Sequence, residues 1–136
     1  MAKIKHIAIM TRDQEKTADF YKQTFGMFEV WRHASATGDG QYAVYLSDGY
    51  INLAILPARN GAAEGINHFG FEVDDIDATA QVADKAGATQ MPEATPRDGR
   101  FAEAFIKDPV GTRVDLSVAG WRTEPAANPE YAGAQR

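Results

Sequence analysis

Apolar and polar positions alternate over 4–10, IKHIAIM, with the period of a half-buried strand. From about Asp13 to Phe25 the spacing changes to that of a helix, with Ala18, Tyr21 and Phe25 recurring on one side, Phe20 beside them, and Gly26 as the stop. Three strand-like runs follow at 27–34, 41–47 and 50–56, separated by the turn residues Gly38-Asp39-Gly40 and Asp48-Gly49. The same order then returns. INHFGFEV at 66–73 reads as a strand and 75–87 as a helix carrying Ile76, Ala80, Val82, Ala83 and Ala86 and ending at Gly87; runs at 88–92, 101–107 and 112–118 read as strands. The chain is therefore expected to be an α+β protein of two tandem βαβββ modules, 3–57 and 65–118, in one domain. PARNGAAEG (57–65) reads as the linker, and 119–136 as an irregular tail or arm.

Alternate side chains of a strand point to opposite faces, so this pattern also sorts residues. Ile7 and Ile9 share one face of the first strand, His6, Ala8 and Met10 the other. In the fifth strand Phe69, Phe71 and Val73 oppose His68, Gly70 and Glu72. The oily faces are expected to meet the helices and the histidine faces to line a concavity, with Ala8 and Gly70 leaving open space beside each ring. In the last strand Val114, Leu116 and Val118 belong to the helix side and Asp115 points with the histidines. His6 and His68 stand 62 positions apart, Asn52 and Asp115 63, so each pair occupies the same place in its repeat.

Two imidazoles and one carboxylate converging from three strands are the parts of a facial metal triad, suited to Fe, Mn, Zn, Ni or Cu, with positions left open for substrate. A lone strand histidine is ordinarily structural; its duplication at one point of both repeats, with a carboxylate added, favours the metal reading. Asn52 occupies the fourth place with a weaker, neutral donor and is expected beside the ligands rather than among them. His33 has no counterpart and is read as exposed, as is Glu72 near its strand end. Glu103, Phe105 and Lys107 alternate on a strand matched by Ala43, Tyr45 and Ser47. That face is either a cavity wall, with Glu103 as acid or base and Tyr45 and Phe105 lining it, or a solvated surface. Trp31 and Trp121 read as packing residues.

At 136 residues, 44% hydrophobic and 24% charged, the chain can bury one core without staples. It has no cysteine, which removes disulfides, thiolate metal sites and cysteine nucleophiles. Its net charge of −5, with 14 scattered basic residues, offers no face for nucleic-acid phosphates. No apolar run suits a membrane span or a signal peptide, so a cytoplasmic location is expected.

HIAIMTRDQEKTADFYKQTFGM, NHFGFEVDDIDATAQVADKAGA and FIKDPVGTRVDLSV together resemble the vicinal oxygen chelate superfamily of glyoxalases, bleomycin-resistance proteins and extradiol dioxygenases. The resemblance covers about 3–118 and rests on His6, Phe20-Tyr21, Gly26, His68 and Asp108-Pro109…Gly111…Asp115-Leu116. It implies an incomplete, cup-shaped barrel around one divalent ion (Fe, Mn, Zn or Ni) held by His6, His68 and Asp115. It implies a small-molecule substrate, and Asn52, Tyr45 and Phe105 are the residues expected to contact it. It also implies a homodimer in which His6 meets His68 and Asp115 of the other chain. Glyoxalase I and the epimerases carry Glu or Gln where Asn52 stands, and fosfomycin transferases have a serine-rich loop that Thr95–Arg100 does not match. The leading expectation is a metal-dependent enzyme, oxygenase-type ahead of glyoxalase-type lyase or isomerase, with a non-catalytic drug- or metabolite-binding protein as the rival class.

Overall fold

The structure, a computed structural model, describes residues 1–34, 38–90 and 102–125. The order of elements is β1 (Lys3–Thr11), α1 (Gln14–Phe25), β2 (Phe28–Ala34), β3 (Tyr42–Ser47), β4 (Asn52–Pro57), β5 (Gly65–Glu72), α2 (Ile76–Lys85), β6 (Ala104–Lys107) and β7 (Arg113–Ser117). The α+β class expected from the periodicity is the one observed, with element ends within a few residues of those read from the sequence. The described residues form two compact units: one holds those of 1–6 and 68–121, the other those of 7–67 and 122–125. β1 gives its beginning to the first and its end to the second.

In the unit that starts at Ile7, strand order is β2-β3-β4-β1. β2, β3 and β4 are antiparallel, and a register shift between Glu29 and Trp31 turns Val30 and Trp31 into the same apolar cluster. Helix α1 begins where the Asp13 carboxylate accepts the Lys16 amide at 3.0 Å. It stops at Gly26, whose φ of 68° closes the last turn on the Lys22 carbonyl. The helix covers one sheet face: Ala18 packs with Ile9, Val44, Leu46, Leu53 and Ile55, and full burial of Leu46 and Ile55 is worth about 1.5–3 kcal/mol each. Ala8, Val30, Trp31, Ala43, Tyr45 and Ala54 form the opposite face. Phe25, read on the same side as Ala18 and Tyr21, and Phe20 beside them are exposed, because Ala18 and Tyr21 already fill that side. They pack edge-on against each other and Phe20 also against Tyr21.

The other unit has the order β1-β5-β7-β6, with β5 parallel and β6 antiparallel to β7. Asp75 caps α2 by accepting the Ala78 amide at 2.8 Å. Val73, Ile76, Ala104 and Leu116 form its core, flanked by Phe71 and Ile106. Val82, counted among the helix's apolar positions, is exposed. The strand expected at 88–92 appears as a single bridge, Gln90 to Lys107; residues 91 and 92, like 101 and most of the tail, lie outside the described residues. Among the described residues no helix is long and apolar enough to cross a membrane.

Beside α1, Arg32 Nε donates to Glu29 Oε1 at 2.7 Å, Lys22 Nζ donates to Glu29 Oε2 at 3.1 Å, and Arg32 also pairs with Glu15. Burial works to raise the Glu29 pKa, but the donors on Arg32 and Lys22 prevail and hold it below the ordinary glutamate range. A lowered native pKa stabilises fully above the unfolded value and loses that contribution as pH falls through the native one. Glu29→Gln is therefore expected to cost about 0.5–1 kcal/mol at pH 7. Urea titrations should show the gap to wild type closing as the solution is acidified below about pH 4.

Candidate metal centre

The last residue of β1 in its unit, the fourth of β5 and the third of β7 bring three chemical groups together. His6 is 4% exposed, His68 6% and Asp115 3%. His6 Nε2 lies 3.4 Å from His68 Nε2, and Asp115 Oδ2 lies 3.2 Å from His68 Nε2 and 3.9 Å from His6 Nε2. The parallel register of β5 and β7 sets Gly70 opposite Asp115, so His68 and Asp115 reach the same point from neighbouring strands. All three residues belong to one chain.

The donor set fits a divalent ion. Two cis or tetrahedral ligand atoms about 2.1 Å from one ion are about 3.0–3.4 Å apart. Two of the three separations fall there, and the third closes with a few tenths of an ångström of side-chain rotation. Two imidazole nitrogens and a carboxylate oxygen, all within 4.8 Å of one another, form the histidine and acid cluster among the described residues that could hold a metal.

Asp115 keeps its charge although buried. Desolvation would raise its pKa, but hydrogen bonds and charge from His68 and Arg113 outweigh it and hold the carboxyl below the ordinary aspartate range. Arg113 Nε donates to Asp115 Oδ1 at 2.7 Å, and its guanidinium carbon lies 4.5 Å above the Phe105 ring. Sequence reading passed over Arg113. It stands two positions before Asp115 on one strand, so parity alone places it on the same face.

Trp121 stacks on the His6 ring at a centroid distance of 4.8 Å, with 3° between the planes. The space beside Gly70, expected to be open, is filled by this indole: a Cβ at Gly70 would lie 2.7 Å from its Cη2. Glu103 is buried, and one of its oxygens, Oε2, accepts from Ser117 Oγ at 2.6 Å, from the Ala119 amide at 2.9 Å and from the Val118 amide. The Gly120 amide in turn donates to Ser117 Oγ at 2.8 Å. Glu103 thus ties down the turn that delivers Trp121 to His6; of the two readings of its face, the solvated one does not describe it. Phe105 sits directly across from Asp115.

The remaining named residues lie in the other unit. Tyr45 is buried, stacked on Trp31 at 5.1 Å, and its hydroxyl is 3.3 Å from His33 Nε2. His33, read as exposed, is half-buried because it lies against Trp31 and Tyr45. Asn52 is buried and donates its amide to the Arg122 carbonyl at 2.7 Å. Glu72 is exposed as expected.

A family model described as the Glyoxalase/Bleomycin resistance protein/Dioxygenase superfamily matches residues 3–116. A probable lactoylglutathione lyase of Vibrio cholerae is 28% identical over 125 residues, covering 84% of this chain and 88% of that protein. A probable chloroplastic lactoylglutathione lyase of Arabidopsis thaliana is 26% identical over 130 residues, 88% of this chain; this chain spans only 37% of its length. Among solved structures, methylmalonyl-CoA epimerase from Mycobacterium tuberculosis superposes with a TM-score of 0.64 at 19% identity, covering 95% of this chain and 91% of that one.

Gly70→Ala is expected to push Trp121 off His6 and destabilise the protein by about 1–3 kcal/mol in urea denaturation. Adding Trp121→Ala should remove most of the cost of Gly70→Ala, since the two indole atoms are then gone and only the Asp115 Cβ, 3.1 Å from the new methyl, remains close; equal costs in both backgrounds would contradict the packing described.

Proposed function

Because the chain belongs to the Glyoxalase/Bleomycin resistance protein/Dioxygenase superfamily, we propose that it is a divalent-metal-dependent enzyme acting on a small oxygen-bearing molecule, with His6, His68 and Asp115 as its ligands. The observation that carries this reading is the convergence of those three buried groups on one point. Iron, manganese, zinc and nickel all accept such donors. A bound ion would supply Lewis acidity toward adjacent substrate oxygens.

The chain's own residues prepare that chemistry. Arg113 keeps Asp115 ionised and fixes one of its oxygens, leaving Oδ2 turned toward the histidines. Trp121 sets the plane of His6, and Glu103 sets Trp121 through the 117–120 turn. Burial of all three ligands keeps bulk water from competing for them.

Three donors rather than four leave more than one position open, which favours oxygenase-type chemistry. Asn52, the counterpart of Asp115 in the first repeat, is a neutral amide whose N–H is engaged by a backbone carbonyl. A lyase reading comes second, and the names of the two relatives favour it.

Protein purified without chelator is expected to contain about one divalent ion per chain by elemental analysis. His68→Ala should lower the metal affinity by at least 100-fold while the circular dichroism spectrum is retained. A wild type that neither contains nor takes up an ion would remove both enzyme readings and leave a binding protein. With metal present, oxygen uptake on catechols is expected to exceed turnover of the methylglyoxal–glutathione hemithioacetal; the reverse order would establish the lyase reading instead.

A further inference from the structure

β6 and β7 end in a pair of like charges. Lys107 and Arg113 are directly opposite in the antiparallel register, so both side chains leave the same face of the sheet, the face that carries Phe105 and Asp115 one step further in. Like charges placed across from each other cost stability. Lys107 has no ion pair with any described residue, and Arg113 is neutralised by Asp115 through Nε alone, its outer nitrogens donating to no described residue. The arrangement is therefore a cationic edge that begins at the candidate metal centre.

Arg113 is the member built for recognition. Its side chain is 42% exposed while Asp115 is 4% exposed, so it runs from the buried cluster to solvent. A guanidinium carries five N–H donors. One is committed to Asp115, and the four on the two terminal nitrogens donate to no described residue. The Phe105 ring beneath, 4.5 Å from the guanidinium carbon, holds the group flat and limits its rotamers before any ligand arrives. A planar fork fixed at one end with its outer donors free is suited to an oxyanion of matching shape, above all a carboxylate.

We propose that Arg113, assisted by Lys107, binds the carboxylate of the substrate, and that the substrate class is small organic acids carrying oxygen next to that carboxylate. The proposal rests on the metal-centre reading for the role of the neighbouring oxygen, whereas the anion site itself stands on Arg113 and Lys107. Asp115 and Arg113 neutralise each other, so a divalent ion leaves the site net positive and further favours an anion.

The test compares pyruvate with methyl pyruvate, which has the same vicinal oxygens and no charge. Binding of each is measured by calorimetry to wild type, Arg113→Gln and Lys107→Gln, with metal content determined on the same samples. The ratio of the two affinities is read on chelator-treated, metal-free protein as well, because pyruvate is the stronger metal chelator and only the metal-free ratio isolates the anion site. Wild type is expected to favour pyruvate, Arg113→Gln to reduce that preference about tenfold, and Lys107→Gln to reduce it less, about threefold. A ratio unchanged in Arg113→Gln, or no preference for pyruvate in wild type, overturns the proposal. Absence of metal from wild type removes the metal reading alone, and the same ratio measured on that metal-free protein then decides the anion site.

Discussion

Asp115 places a carboxylate where only a few per cent of its surface meets water, and its charge survives there because two donors flank it. An isolated buried carboxylate would cost several kcal/mol or give up its charge. Here His68 and Arg113 answer one oxygen each, and the remaining imidazole, His6, stands 3.9 Å from the oxygen that faces His68. Arg113 supplies the donor on the side of the carboxylate that turns away from the two rings. That is why Arg113, which no metal would touch, is as much a part of the centre as the three groups named from the sequence.

Around this charge the packing is arranged in a chain of dependence. Trp121 lies parallel to His6 and occupies the volume that Gly70 vacates by having no side chain. The turn leading to Trp121 is held by Glu103, whose single oxygen gathers a hydroxyl and two amides. A buried carboxylate used in this way is a structural anchor for three donors that would otherwise go unmet. The small residue at 70 and the acid at 103 are thus explained by one object, the indole between them and the metal centre.

Membership of the superfamily brings the expectation of metal chemistry but leaves open what is transformed, since the family's own description joins glyoxalases, drug-resistance proteins and dioxygenases. This chain combines a three-donor cluster with a cationic strand edge beside it. Phe105 links the two, lying across from Asp115 and beneath Arg113. Substrate selection and metal retention would then share a strand, β7, and be separated by a single alternation of side chains.

Much of this was legible without coordinates. Alternation fixed the faces of β1, β5 and β7, so His6, His68 and Asp115 could be paired by repeat and by parity, and helical spacing with the stop at Gly26 bounded the first helix. These are local properties: strand periodicity, helix spacing and φ preferences depend on neighbours in the chain. Parity could also have found Arg113, but nothing local announced that its partner would be Asp115 rather than water. The depth of Glu103, the half-burial of His33, the exposure of Phe20 and Phe25, and the indole seated over Gly70 were decided only in three dimensions. Each depends on which distant segment arrives first at a given volume, and a close-packed interior admits one occupant per space.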